Sequence, residues 1–85
     1  MIHKIFSVYD SKVESFLPPF FVQSKGAALR SFMDAVGQEG HQFSKHAADF
    51  TLFELGEFDD FCGKFELHAT PISIALALEF IRGGV

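Results

Sequence analysis

Two neighbouring segments decide the fold: Phe50-Thr51-Leu52-Phe53-Glu54-Leu55-Gly56-Glu57 and Lys64-Phe65-Glu66-Leu67-His68. Phe65 and Leu67 point to one side of the second segment, and charged or polar residues alternate with them, which is typical of a half-buried strand. The residues between the segments, Asp59 to Gly63, have turn composition, with Gly63 able to adopt positive φ. We therefore predict an antiparallel hairpin with strands over 50–57 and 64–68.

The first part of the chain predicts two further strands. Ile2 to Tyr9 is rich in β-branched and aromatic residues, and both of its faces are partly apolar, which suits a central strand or one whose outer face meets a partner. Pro18-Pro19 cannot donate hydrogen bonds to a ladder, so that stretch lies at an edge or ahead of a strand. Phe20 to Gln23 follows, and we expect it to pair with the first strand.

A helix is predicted from about Ser24 to Val36. Ser24 suits the N-cap, and Gly37 stands where a left-handed residue commonly ends a helix. The apolar positions follow the spacing of one buried helical face. They are Leu29, Phe32, Met33 and Val36.

A second helix is predicted at the end of the chain, where Thr70-Pro71 forms a typical start and Ile72 to Arg82 precedes Gly83-Gly84. A strand over Ile72 to Leu78 is the alternative. Apolar residues surround this helix almost completely, which favours a self-association surface over burial in a deep groove. We predict a homodimer with subunit contacts at Ile74, Leu78, Phe80 and Ile81.

The element order β-β-α-β-β-α predicts an α+β fold. We expect one domain over residues 1–85, with a four-stranded antiparallel sheet, two helices packed on one face and a partly aromatic opposite face. Residues 38–49 are predicted to form a polar loop, and loops of this length are often functional.

Charge is distributed unevenly along the 85 residues. The net charge is −4. Residues 1–46 carry five lysines and arginines against four acids, whereas residues 47–85 carry two against seven. Overall acidity argues against tight duplex binding, which needs many phosphate contacts, but leaves room for one weakly positive face. The start of the chain lacks a signal peptide's long apolar run, and no stretch is long enough to span a bilayer, so we expect a soluble intracellular protein.

No residue pattern supports catalysis. The single cysteine, Cys62, stands beside Asp59 and Asp60, which disfavour a thiolate. His41 and His46 lack the converging third ligand of a metal site. The acids Glu54, Glu57, Asp59 and Asp60 lie near a hairpin end, where acids commonly solvate a turn. We expect a protein that is not an enzyme and that uses no metal or cofactor.

Aromatic and basic residues are interleaved in a way that allows binding of single-stranded nucleic acid, although core packing or a dimer contact would also account for the aromatics. The chain has twelve phenylalanines, of which Phe32, Phe53 and Phe65 belong to the core by periodicity. Phe6, Phe20, Phe21 and Phe43 are the candidates for stacking on unpaired bases. Gln23-Ser24-Lys25-Gly26 opens a helix, where an anion could bind, although a solvated Lys25 is the better explanation.

Six segments together resemble a known family. They are Lys4–Lys12, Leu17–Phe21, His41–His46, Asp49–Gly56, Asp59-Asp60 with Gly63, and Thr70–Ser73. Nearly the whole chain resembles the small nonstructural protein of gokushovirus-like microviruses, phages with single-stranded DNA genomes. Cys62 departs from the threonine-like turn residue expected there. The resemblance implies a phage protein of the bacterial host cytoplasm, labelled DNA-binding, with a part in genome synthesis or packaging and no established catalytic residues.

These observations lead to two hypotheses. The first is a dimeric protein that binds single-stranded DNA during replication or packaging. The residues predicted to contact DNA are Lys4, Tyr9, Lys12, Lys25, Arg30, Phe43, Lys45 and His46. The second is a non-enzymatic adaptor that contacts phage or host replication proteins through apolar surface and does not bind DNA.

Overall fold

A single antiparallel sheet of five strands organises the computed structural model, which describes residues 1–81. The strands are β1 (Ile2–Asp10), β2 (Ser15–Phe16), β3 (Phe20–Val22), β4 (Phe50–Asp59) and β5 (Lys64–Leu76). Their order across the sheet is β2-β1-β4-β5, and β3 pairs with β1 on the same side as β2. The predicted α+β class is confirmed, with five strands instead of four.

β1 is the central strand, as its two partly apolar faces indicated. It pairs with β4 along its whole length and with β2 and β3 on its other side. The chain segment between β2 and β3 contains Pro18 and Pro19, which cannot donate to a ladder and so divide that edge into two short strands. Four consecutive residues of β1, Ile5 to Val8, are buried, so both faces of the sheet are covered at its centre.

Helix α1 (Lys25–Val36) lies close to where it was predicted. The Ser24 side chain accepts a hydrogen bond from the backbone N–H of Ala27 at 3.2 Å, which caps the helix. Two details of the prediction are wrong. Gly37 has right-handed φ (−75°), and the buried face runs along Ala28, Phe32 and Val36 while Met33 remains 43% exposed.

The predicted polar loop contains a second, short helix, α2 (Gln42–Lys45), followed by a 3-10 turn (Ala47–Asp49). Phe43 and Ala47, four positions apart, are both buried, and this short apolar face holds the segment against the core. The Nδ1 atom of His41 accepts a hydrogen bond from the N–H of Phe43 at 3.0 Å and caps the helix.

The predicted C-terminal helix is wrong. Residues 64–76 form one strand, β5, and only Ala77–Phe80 turn into a 3-10 helix. Ala75 pairs with Leu52 of β4, and Ile72 pairs with Glu54, so this stretch completes the sheet. Pro71 is tolerated because β5 is an edge strand. The alternative of a strand from Ile72 was nearer the structure; the predicted helix end at Arg82 to Gly84 lies outside the described residues.

The core lies between one end of the sheet and the helices. Phe6 and Leu52 are fully buried there against a cluster that includes Phe32, Phe43 and Ala75. No residue of 57–72 belongs to that buried cluster, so the outer part of the β4–β5 hairpin extends beyond the packed half. The molecule is accordingly elongated, with extents of 44 × 24 × 18 Å.

Candidate functional site: the open face of the sheet

The side of the sheet opposite the helices carries most of the aromatic residues that the core does not use. Directly paired residues of antiparallel strands share a face. The pairs Tyr9 with Phe16, His3 with Phe58 and Phe58 with Phe65 therefore build one surface. We call it the open face. Its aromatic rings are Tyr9, Phe16, Phe21, Phe53, Phe58 and Phe65.

One cluster of the open face lies at the β2 end of the sheet. Ring centroids are 4.9 Å apart for Tyr9 and Phe16 and 5.5 Å apart for Phe16 and Phe53. The Phe16–Phe53 pair meets edge to face at 75°, a favoured geometry for aromatic rings. The cluster therefore holds its rings in fixed mutual orientations.

A second cluster lies at the far end, where β3, β4 and β5 contribute one ring each. Phe58 lies 4.7 Å from Phe65 and 5.7 Å from Phe21, measured between ring centroids. Phe21 and Phe65 complete a triangle at 6.3 Å. Because β5 is the outermost strand, Phe65 brings this aromatic surface to the edge of the sheet.

Between the two clusters, the side chains that β1 places on the open face are buried. Ile5 is 3% exposed and Ser7 is fully buried. The Ser7 hydroxyl donates to the carbonyl oxygen of Leu17 at 2.5 Å, so no polar atom is left unpaired there. The surrounding rings are open, since Phe16, Phe21 and Phe65 are 42%, 44% and 56% exposed. Contiguous apolar surface of this kind is typical of an interaction site.

The electrostatics of the open face are nearly neutral. Within residues 1–81, none of the strand positions on this face is a lysine or arginine. Charge appears at one end, where Asp60 accepts a hydrogen bond from the amino terminus at 2.7 Å and contacts His3 Nε2 at 2.8 Å. The hydrogen bond from the amino terminus, followed by that of His3, lowers the pKa of Asp60 below its usual value.

The cations predicted to bind phosphate are spread over other surfaces. Lys4 faces the helix side of the sheet, where its ammonium lies 3.5 Å from a carboxylate oxygen of Glu57. Lys12 and His46 line a shallow pocket at one end of the sheet together with Asp10 and Asp49. Three further cations are exposed on the helices: Lys25, Arg30 and Lys45. Apart from Lys12 and His46, which share that pocket, the structure does not gather these residues at one site.

Two aromatic predictions have different outcomes. Tyr9 lies on the open face, in contact with Phe16 and Phe53. Phe43 is only 8% exposed and packs 4.7 Å from Phe50, because its helix turns it into the core. Burial leaves no ring face of Phe43 free for a base, so the prediction that it stacks on DNA conflicts with the structure.

The predicted dimer contacts are mostly used within the chain. Ile74, Phe80 and Ile81 pack against the chain's own core, and the ring of Phe80 lies 6.3 Å from that of Phe32. Leu78 alone of the four is strongly exposed, at 52%. The strand and the short turn present Ile74, Phe80 and Ile81 to the core, whereas the predicted helix would have carried them outward.

The clustered carboxylates have separate structural partners. Glu54 contacts His68 Nε2 at 2.7 Å, and Asp59 accepts a hydrogen bond from the Phe61 N–H in the hairpin turn at 3.0 Å. Cys62 is exposed in the same turn. Over the part of the chain that is described, no three histidines, cysteines or acids converge in a way that could hold a metal ion.

An apolar cavity of about 380 Å³ lies on the helix side, outside the open face. It is lined by Leu17, Pro18 and Phe20 from the β2–β3 segment and by Phe32 and Phe43 from the helices. Ser31 is the polar residue in its lining. The cavity therefore has little means of orienting a polar ligand.

Sequence reasoning missed the main aromatic contributors to the open face. Phe53 and Phe65 were placed in the core, and Phe16 and Phe58 were not considered. The available signal was the alternation of β1, where Ile5 and Tyr9 share one side and Phe6 and Val8 the other. Two apolar sides on one strand indicate that its neighbours carry apolar residues on both sides of the sheet.

The described helices are all too short or too polar to cross a membrane. No curated protein matches the chain significantly, and neither does a solved structure. A protein-family model described as Phage ORF5 protein matches residues 3–80, and the chain therefore belongs to this family of phage proteins.

Proposed function

We propose that this phage protein binds single-stranded DNA through the open face, without catalysis, in the cytoplasm of the infected bacterium during genome replication or packaging. The observation that carries the proposal is the presence of three half-exposed phenylalanines, Phe16, Phe21 and Phe65, on one strand-built surface. The resemblance to nonstructural proteins of gokushovirus-like microviruses supports the same ligand, because those phages have single-stranded genomes.

Stacking is the interaction that this surface can offer. An unpaired base presents a flat face to an aromatic ring, and each such contact is worth about 1–3 kcal/mol. The rings are held by neighbouring rings and by the sheet, so little side-chain freedom is lost on binding. Sheets with helices on one side and exposed aromatics on the other bind single strands in this way in other proteins.

Phosphate contacts contribute little in this arrangement. The cations are at the ends of the sheet or on the helix side, where Lys4 is already paired with Glu57. Each phosphate neutralised on a single strand adds about 0.7 to the slope of log affinity against log salt. We therefore expect a slope no steeper than about −2 for this protein.

Fluorescence anisotropy with labelled oligo-dT tests the proposal. Phe21→Leu and Phe16→Leu keep apolar bulk but remove the flat ring, and each should weaken binding about fivefold or more. Phe61→Leu is the matched control, because Phe61 is 91% exposed in the hairpin turn, outside the strand positions of the open face. Its affinity should equal that of the unmodified protein. Failure to bind at tens of micromolar protein in low salt would overturn the proposal.

The second candidate is a non-enzymatic adaptor whose open face meets a protein. The observation that favours it is the lack of lysine and arginine at the described strand positions of that face, together with the net charge of −4. Co-purification from infected cells with and without nuclease distinguishes the two. Partners that survive nuclease and are lost with Phe21→Leu, in a protein with no affinity for oligo-dT, would support the adaptor.

A further inference from the structure

β5 ends the sheet with an outer edge that has no strand partner among residues 1–81. Exposed edges of this kind readily pair with another chain, and proteins commonly protect them with prolines or bulges. The second half of β5 is protected in this way. Leu67 pairs with Gly56 and Ile72 with Glu54, so residues 68–71 bulge opposite Leu55, and Pro71 lies within the bulge. Residues 64–67 are in regular register and lack such protection.

We propose that the β5 edge of one chain pairs antiparallel with the β5 edge of a second copy, about a two-fold axis at Phe65. This dimer is independent of the DNA-binding proposal and forms without DNA. It is built from a different part of the chain than the dimer contacts predicted from the sequence.

The charges of β5 select this register. With the axis at Phe65, Lys64 lies opposite the partner's Glu66, and the symmetric pair repeats on the other side. An axis at Glu66 would place two glutamates directly opposite each other, which is unfavourable. An axis at Leu67 would pair Glu66 with the partner's His68, but the His68 side chain is already bound to Glu54 and its backbone enters the bulge.

The same register resolves a charge conflict inside one chain. Glu66 of β5 lies directly opposite Glu57 of β4, two like charges on neighbouring strands. Each glutamate has one cation of its own chain beside it: Lys4 lies 3.5 Å from Glu57, and Lys64 lies 3.6 Å from Glu66. The partner's Lys64 would add a second cation beside Glu66. The row across the sheet would then run Lys4, Glu57, Glu66 and the partner's Lys64.

Apolar residues on the other side of β5 fit the same pairing. Phe65 is 56% exposed and Leu67 is 67% exposed, although both lie in a regular strand. On the axis, Phe65 meets the partner's Phe65. This contact joins the cluster of Phe21, Phe58 and Phe65 in one chain to the same cluster in the other. Leu67 lies opposite the partner's Gly63, a residue with φ +73° and open space where a side chain would be.

Charge reversal tests the register. Lys64→Glu and Glu66→Lys alter side chains that are 67% and 69% exposed, so the fold should be retained. Each variant alone places like charges opposite each other, and its dimer should dissociate about tenfold or more readily. An equal mixture of the two variants brings the two acids of one chain opposite the two cations of the other, and should restore the dimer as a heterodimer. Sedimentation velocity without DNA measures all three.

Each outcome of this experiment supports or overturns the proposed dimer or its register. A dimer that forms in the mixture but in neither variant by itself supports the proposal. Mixing would not correct a purely structural defect in either variant. An unmodified protein that sediments as a 9.5 kDa monomer at millimolar concentration overturns it. Single variants that dimerise as well as the unmodified protein overturn the register.

Disulfide formation gives a second measurement. In a Cys62→Ser background, Phe65→Cys places two thiols across the axis, with Cα atoms about 4.5–5.5 Å apart, a distance that a disulfide spans. Leu67→Cys is the matched control, because its two copies would be more than 10 Å apart along the strands. Oxidation should cross-link the Phe65→Cys protein only. Preferential cross-linking of Leu67→Cys would overturn the Phe65 axis.

Discussion

At the scale of single residues, close approach of backbones decides what the sheet tolerates. Gly56 stands where β4 changes register against both neighbours, opposite Ile5 on one side and Leu67 on the other. A Cβ atom at Gly56 would lie 2.3 Å from the Glu66 carbonyl oxygen and 2.7 Å from the Leu67 Cα atom. Neither is the end of a flexible side chain, so the strands themselves would have to move apart.

We therefore expect Gly56→Ala to lower the free energy of unfolding by about 1–3 kcal/mol, as overpacking does elsewhere. Gly26→Ala is the control, because the nearest atom to a Cβ there is the Ser24 Oγ at 3.9 Å. Alanine within a helix should be neutral or stabilising by up to about 1 kcal/mol. Urea unfolding followed by circular dichroism measures both, and equal stability of the two variants would contradict the expectation.

At the scale of elements, local sequence patterns correctly located the elements whose position depends on neighbouring residues. The Ser24 cap and the apolar spacing over 25–36 located α1, and the alternation of Phe65 and Leu67 located the start of β5. The pattern did not reveal which side of that strand was covered, because Phe65 lies on a side without helices. Ile72 to Leu76 looked helical because it is apolar on all sides, but an edge strand packed against the core needs the same composition.

The segment around the short helix α2 shows why only some of the residues predicted to contact nucleic acid are exposed. Phe43 looked like an exposed aromatic among His41, Lys45 and His46, yet Phe43 in α2 and Ala47 in the following 3-10 turn are both buried against the core. Lys45 and His46 are exposed, as expected for polar side chains. The available signal for the burial of Phe43 was the apolar Ala47 four positions later, and the polar composition of the segment obscured it.

Phe43→Leu should therefore act on stability. Removing a ring that is 8% exposed and packed on Phe50 should cost about 1–3 kcal/mol of unfolding free energy. Phe61→Leu, the same change at a 91% exposed position, should cost less than about 0.5 kcal/mol. Thermal or urea unfolding compares them. A stable Phe43→Leu protein with weakened oligo-dT binding would instead return Phe43 to the DNA site.

At the scale of the whole molecule, packing is concentrated at one end. The helices and the buried cluster cover the part of the sheet that contains Phe6 and Leu52, while the hairpin beyond Gly56 is held by β1 and by the aromatic triangle of the open face. Regions with fewer buried apolar contacts open at lower free energy than the rest of a protein.

Native-state hydrogen exchange should show this difference. In the Lys64→Glu variant, which removes the proposed dimer contact, amides of 57–68 should exchange at least roughly tenfold faster than those of Phe6 to Val8 and Leu52. In the unmodified protein at high concentration, the outer amides of 64–67 should become slower. Uniform exchange across the sheet in the variant would contradict the packing argument.

The bulge at residues 68–71 also limits how far such molecules could assemble. The proposed pairing through β5 would use the same edge of both chains, so it would close on itself once two copies had met. The opposite edge of the sheet is interrupted at Pro18 and Pro19, and the rest of β5 is broken by the bulge and by Pro71. A third chain would find no uninterrupted ladder on which to continue. In the proposed dimer, an aromatic sheet with an open edge would be confined to a finite complex and kept from extending into fibrils.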